Sequence, residues 1–372
     1  MELRKTFLPV LRPVADENEV RALAEVLESG WWGKGPKVAQ FEKEFAEMVG
    51  AKYAVAVTSA SHGQDLVIKA LGLKNVDIIN PTISFMTTAA VPLWNDCTSN
   101  IVDVDPYNLN IDPEDVKKSL RKDTKAIIAV NHAGVPAPIS ELREFFDGFI
   151  LEDCAHSCYT PGAGQQGDAA VWSFQAVKTM PTGDGGMITT NDKELYEKLV
   201  PMTWFGISST FSRVSKSAND TLSGKPGYSW DYEVDILGYK CYMIDLTAAL
   251  GLEQMKKLPA NLAWRRHIQE RYNNELHPHV TRPPRSETVQ YYCARVAPEI
   301  RDGLIDYLAS KMIHTSVHFK PLHKYEIVRQ DRDYPVANVE WKKLISLPCH
   351  PGMAEEDIDY VIFWVNEFFS SK

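Results

Sequence analysis

Between residues 53 and 190 the chain alternates between two kinds of segment, and that alternation restricts the fold more than any other feature. Short β-rich runs (YAVAVT, VDIINP, NIVDVD, KAIIAVN, FILEDC, DAAVWSF, GGMITT) are separated mostly by helical or turn-like stretches (QDLVIKALGL, MTTAAVPLWN, DPEDVKKSL, ISELREFF). Strands that alternate with helices pair in parallel, because each helix carries the chain back across the sheet. The expected architecture is therefore α/β, a mostly parallel sheet with helices on both faces. Ligands in such sheets bind at the carboxyl ends of the strands.

Ahead of the alternation, DENEVRALAEVLES reads as a helix with Asp16 as N-cap and Gly30 beyond its end, and KVAQFEKEFAEMVG as a second helix. From about Met202 to Tyr239 the pattern lapses into a polar loop rich in Ser, Gly and Lys. The segments MIDLTAALGLEQMKKLP and WRRHIQERYNNELH then read as two further helices. The rest, with YYCARV, IHTSVHFKP and EDIDYVIFWVNEFF, reads as a small α+β unit. A chain of 372 residues more naturally divides in two than forms one core. Residues 1–250 are expected to form the large domain and 251–372 the small C-terminal one.

Composition removes several function classes. A net charge of −9 without any basic block disfavours nucleic-acid binding, which needs cations along a phosphate backbone. No segment approaches the ~18 uninterrupted apolar residues of a membrane helix, and MELRKTFLPVLRPVADENEV lacks a signal-peptide h-region. A cytoplasmic protein is the expectation. Six scattered cysteines fit reduced thiols. Cys154 and Cys158 enclose His156, but no second ligand pair at comparable spacing accompanies them, so no metal site is expected.

Three strand ends carry candidate chemistry. In AVAVTSASHGQDLVIKAL a strand runs through a small-residue turn into a helix, so the free amides of Ala60 and Ser61, with the helix dipole, make an anion pocket. In FILEDCAH a strand ends on Glu152 and Asp153, whose side chains alternation sends to opposite faces. In VWSFQAVKTMPTGDGGMITT, Lys178 stands between an aromatic run and a glycine cluster. A buried lysine loses proton affinity, and its neutral amine becomes a nucleophile toward carbonyls. Taken singly, these segments also read as an ordinary βα turn, a solvated carboxylate pair and a surface lysine. Their order along one sheet is what pyridoxal 5′-phosphate (PLP) requires: a turn for the phosphate, a carboxylate for the ring nitrogen and a lysine for the aldehyde.

The sequence resembles the DegT/StrS family of sugar aminotransferases, among the fold-type-I PLP enzymes, over nearly its whole length. The resemblance rests on GWWGKGPKVAQFEKEFAEMVGAKYAVAV, IVDVDPYNLNIDPEDV, ILEDCAH, the SF-x-x-x-K block with its following G-D-GG, LGYKCYMIDLTAALGLEQMKKL and SLPCHPGMAEEDIDYVI. It implies that Lys178 binds the cofactor aldehyde and shuttles the proton, and that Asp153 pairs with the ring nitrogen. It also implies that His156, where relatives often carry Gln, lies near the phenolic oxygen, and that Phe85 stacks on the ring. Ser173 would join Ala60 and Ser61 around the phosphate. Lys240 would reach the phosphate of a partner subunit, which implies a homodimer with composite active sites.

Two positions depart from the family pattern. The phosphate turn reads Ser59-Ala60-Ser61-His62-Gly63-Gln64 where relatives usually read S-G-T-A-A-L, and Asp184 stands where Glu is commoner. His62 is either a first-turn helix residue or a contact to phosphate or substrate. The implied reaction moves an amino group from an amino acid, by family expectation glutamate, to a keto sugar carried on a nucleotide diphosphate. Arg213, Lys216 and Lys225 in the polar loop are candidates for the diphosphate, and His318 and His323 for the pocket rim. A cyclitol or other non-nucleotide ketone would be served by the same residues. A non-catalytic PLP-fold regulator is the remaining rival, and the sugar-dehydratase branch, which replaces the lysine with histidine, is disfavoured by Lys178.

Overall fold

The computed structural model describes residues 1–207, 234 and 236–370. Arg213, Lys216 and Lys225 lie outside the described residues. Helix α1 (Glu17–Ser29) opens with a capping box: the Asp16 side chain accepts from the helix amides and Glu19 reaches back to the Asp16 amide. It ends at Gly30, whose φ of 69° suits a left-handed C-cap. Helix α2 (Pro36–Val49) follows, and then every expected β-run becomes a strand: β1 (Tyr53–Val57), β2 (Asp77–Pro81), β3 (Thr98–Val102), β4 (Thr124–Val130), β5 (Phe149–Asp153), β6 (Ala169–Ser173) and β7 (Gly186–Thr190). Between and after them run α3 (Ala60–Ala70), α4 (Thr87–Trp94), α5 (Pro113–Ser119), α6 (Ile139–Arg143) and α7 (Lys193–Met202).

The strands form one sheet in the order β1-β7-β6-β5-β4-β2-β3. Only β7 runs against the rest, pairing antiparallel with both β1 and β6. The carboxyl ends of the other six strands therefore share one edge. Alternation divides the side chains between two layers. Ala54, Ala56, Ala170 and Trp172 pack under α2 and the following long helix, while Val55, Val57, Val171 and Ile188 pack under α3 and α7.

Helix α8 (Asp245–Glu275) corrects one expectation: the two helices expected here are a single helix of 31 residues that runs through Pro259. Proline costs a helix one hydrogen bond and crowds the preceding turn. Here Pro259 is exposed, so water can meet the freed carbonyl, while tertiary packing holds both halves. Leu252, Leu258 and Leu262 are anchored in the core beneath the large sheet, and Ile268 and Tyr272 in the C-terminal core. Residue 250 thus falls within this helix. Beyond it, β8 (Tyr292–Arg295) pairs antiparallel with β9 (Leu344–Leu347), packed by α9 (Pro298–Ser310), α10 (Pro335–Glu340) and α11 (Glu355–Ser370).

The first residue of α8 also holds α2. Gly35 supplies no side-chain cap, and the buried Asp245 carboxylate accepts from the amides of Gly35, Lys37 and Val38 at 2.8, 3.1 and 3.0 Å. Replacing Asp245 by Ala strands these donors. The expected result is a loss of about 3 kcal/mol or more, read as a lower denaturation midpoint. An unchanged midpoint would show that water replaces the cap.

Candidate active site

The candidate residues converge at the common carboxyl edge of the sheet. After β1, Ser59 is the N-cap of α3, its hydroxyl accepting from the His62 amide at 3.2 Å. Among the described residues, no acceptor meets the amides of Ala60 and Ser61, the two leading donors of the helix. The Ser61 hydroxyl lies 2.8 Å from that of Thr87. Gly186, opening β7, fixes the turn's position, because a Cβ there would lie 2.6 Å from the Ala60 nitrogen. His62 folds back, with Nδ1 2.8 Å from the Thr58 hydroxyl.

At the end of β5 the two carboxylates part as alternation requires. Glu152 faces away and is buried against Asn131 and the Gly164 amide, at 3.0 and 2.8 Å. Asp153 turns to the other side, toward α3, where the Ala155 amide and Gln64 Nε2 donate to it at 2.9 and 2.8 Å. Burial pushes its carboxyl up, opposed by the Ala155 amide, the Lys178 charge and Gln64. Lys178 stands in the segment between β6 and β7, partly buried. Burial lowers its amine from 10.5 to about 8, against the opposing pull of Asp153. Among the described residues nothing hydrogen-bonds or ion-pairs with Nζ. An amine so placed is partly neutral near neutral pH and thus nucleophilic.

A wall of rings closes one side. His156 is buried, stacked on Phe319 with centroids 6.0 Å apart, and its Nδ1 lies 3.5 Å from the Tyr291 hydroxyl. The same hydroxyl is 3.3 Å from His132 Nε2, which lies 3.2 Å from the His318 carbonyl. A carbonyl only accepts, so His132 carries its proton on Nε2. The Tyr291 hydroxyl can then either donate to His156 Nδ1 or accept from it. Burial first, and then the Lys178 charge, hold His156 well below the usual imidazole range; His132 falls to about 4 and His318 to about 3, both chiefly by burial. All three imidazoles are neutral at pH 7.

Phe85 is 64% exposed at the open face, 6.4 Å from the Phe319 ring. Ser173 ends β6 and is buried. Lys240 is exposed and reaches over the Trp204 ring at 5.5 Å, beside Cys241, whose carbonyl accepts from the Thr58 amide. Asp184 is exposed and its carboxylate accepts from the Gly185 amide. His318 joins the ring wall through Tyr291, at 4.2 Å. His323 does not: it is buried elsewhere, between Thr82, Asn338 and the Tyr334 ring. Gln64, His132 and Tyr291 escaped the sequence reading. His132 follows a recognised strand at its carboxyl end, which was a usable signal, whereas Tyr291 enters from the C-terminal third without a local one. Among the described residues no cluster of three or more metal-ligating side chains occurs, and no helix is long and apolar enough to cross a membrane.

The model of the DegT/DnrJ/EryC1/StrS aminotransferase family matches residues 13–366. The chain belongs to that family. It is 36% identical to the spore coat polysaccharide biosynthesis protein SpsC of Bacillus subtilis, over 97% of each chain. It is 31% identical, over 93% of each, to the dTDP-4-dehydro-2,3,6-trideoxy-D-glucose 4-aminotransferase of Saccharopolyspora spinosa. Among solved structures, Spr1654 of Streptococcus pneumoniae in its PMP-form superposes with a TM-score of 0.89 at 25% identity, covering 98% of this chain and 99% of that one. Its PLP-form superposes at 0.87. This DegT/DnrJ/EryC1/StrS member is a sugar aminotransferase with PLP as its cofactor. Its residues fit that group. Among the described residues, the amides of Ala60 and Ser61 lack acceptors, and Asp153 is a desolvated carboxylate without an ion pair within 4 Å.

Proposed function

We propose that this aminotransferase moves an amino group from glutamate to the keto group of a deoxy sugar carried on a nucleotide diphosphate. The observation that carries the reading is that Lys178 and Asp153, near enough for each to feel the other's charge, stand at the strand edge that also presents the Ala60–Ser61 turn. The activity named for the Saccharopolyspora relative supports the acceptor class. One or more of Arg213, Lys216 and Lys225 is proposed to meet the diphosphate. Residues 1–250 would form the cofactor-binding domain and 251–372 the smaller one.

Bound PLP supplies a carbonyl that takes up the amino group and a ring that accepts the electron pair left when the donor Cα–H bond breaks. Lys178 would carry the proton between the donor Cα and the cofactor's carbonyl carbon. Asp153 would hold the proton on the ring nitrogen. Ala60, Ser61 and Ser173 bind the phosphate, helped by the positive end of α3. His156 would lie beside the phenolic oxygen, and Phe85 would cover the ring face and exclude water. The exposed Lys240 and the exposed Trp31, Trp32 and Phe85 support a homodimer in which Lys240 completes the partner's phosphate site. The buried, unpaired thiols support a cytoplasmic setting.

The PLP-loaded protein should convert glutamate to 2-oxoglutarate in one half-reaction, and the PMP-loaded protein should then aminate a nucleotide-linked keto sugar. Amination of a free cyclitol ketone in preference would replace the proposed acceptor, and failure with every amino donor would end the reading. PLP capture by the apo-protein adds a pH signature. Only the neutral amine attacks, so below about 8 the capture rate should rise about tenfold per pH unit and then level. A flat profile from pH 6 to 9 would contradict the assignment of Lys178.

A further inference from the structure

Gln64 is nearly fully buried on α3, a helix whose neighbours face the sheet. Gly63 explains its reach: a Cβ there would lie 3.0 Å from Val171 Cγ1 and 3.3 Å from Ile188 Cγ1, so α3 approaches β6 and β7 closely. The next side chain thereby meets β5, and Gln64 Nε2 lies 2.8 Å from Asp153 Oδ2. The Ala155 amide takes the other oxygen at 2.9 Å. An ionised carboxylate only accepts, so the amide orientation of Gln64 is fixed with its NH2 toward Asp153. Its carbonyl Oε1 is left buried with no partner, an arrangement that costs roughly 1–3 kcal/mol in proteins. A purely structural role would be served better by an apolar side chain of this size.

Resting on the reading of Asp153 as the acceptor for the ring nitrogen, we propose that Gln64 is a positioning residue that orients the Asp153 carboxylate and keeps it ionised for the cofactor. Other groups also face Asp153: Lys178 from the segment after β6, the Ala155 amide and Cys154 thiol after β5, and Tyr291 from the segment before β8. Among these, Gln64 is the neutral side chain that donates directly to the carboxylate. Without it, protonation of Asp153 competes with cofactor binding at higher pH.

The test compares PLP affinity across pH in the full-length wild type and Gln64→Leu, followed by cofactor fluorescence. One charge-assisted hydrogen bond corresponds to roughly a 10- to 100-fold rise in the PLP Kd. The acid limb of the affinity profile should also move to higher pH, while the apo-protein's melting temperature stays level or rises because the stranded Oε1 is gone. A lower apo melting temperature with wild-type PLP affinity and an unmoved acid limb would make Gln64 structural and overturn the proposal. Gln64→Glu covers a failure of the leucine variant to fold. A carboxylate beside Asp153 raises one member of the pair, so the acid limb of its PLP affinity should move to higher pH, and a wild-type profile would again overturn the proposal. Asp153→Asn and Lys178→Ala separate the two levels: if they too bind PLP as wild type does, the site reading itself fails. If they are impaired while Gln64→Leu is not, only the role of Gln64 falls.

Discussion

Lys178→Ala is expected to abolish turnover while leaving a folded protein that still takes up PLP. The amine has two tasks in the proposed reaction, capture of the cofactor carbonyl and transfer of the Cα proton. Losing the proton transfer alone costs roughly 10²–10⁴-fold. The visible band of lysine-bound PLP should disappear, and borohydride should no longer fix the cofactor to the chain. Noncovalent PLP should persist, because the Ala60–Ser61 turn and Asp153 are untouched. Lys178→Arg is the informative companion. It keeps a cation beside Asp153, yet a guanidinium does not give up its proton, so it should be as inactive as Ala. Activity retained in either variant would remove Lys178 from the chemistry.

The same lysine carries a stability signature with a definite sign. Its folded-state value is lowered from 10.5 to about 8, so between those limits the unfolded chain binds the extra proton. Wild-type apo-protein stability must then rise with pH across that window on this group's account. Below about 8 the cost of burying the ammonium is fully present. Lys178→Ala should therefore melt above wild type at pH 7, and the gap should close between pH 8 and 10.5. A variant less stable than wild type at pH 7 would mean that packing of the lysine stem outweighs burial of its charge.

Much of this site could be read in the sequence because the fold delivers it locally. Each β-run in the N-terminal half became a strand, and the sheet brings together strand ends that the sequence already separates by regular intervals. That is why Ala60, Asp153 and Lys178 could be expected at one edge of the sheet. Glu152 and Asp153 also parted as period-two alternation required, Glu152 to Asn131 and Asp153 to Gln64. Elements that depend on distant packing were not legible. Pro259 argued for a helix break, but its exposure and the burial of Leu258 and Leu262 sustain one helix through it. Tyr291 reaches His156 across 135 residues of sequence, and Gln64 reaches Asp153 across 89. No periodicity encodes such pairings. His318 and His323 illustrate the same limit: five residues apart, one lines the ring wall and the other is a satisfied core histidine.

Asp153→Asn should reverse its effect on stability when PLP is added. In the apo-protein, the carboxylate is desolvated and its partners are neutral apart from the Lys178 charge, so burial raises its folded-state value. A raised carboxyl binds its proton more tightly when folded. Its contribution to stability is therefore present below the unfolded value of 3.8 and is lost as pH rises through the raised folded value. Asparagine has no such loss, so the apo variant should match or exceed wild type at neutral pH. With PLP present the order should invert. Wild type then places the carboxylate against a protonated ring nitrogen, and removing one partner of a buried pair costs about 3–5 kcal/mol. The PLP Kd or the half-reaction rate should accordingly suffer by roughly 10²- to 10⁴-fold, and the melting-temperature gain on adding PLP should shrink. Equal loss of stability with and without PLP would instead make Asp153 a structural carboxylate, and unchanged affinity and rate would place the ring nitrogen elsewhere. The sign change is what distinguishes a group held ready for a cation from one that merely packs, because only the former is costly to the fold until its partner arrives.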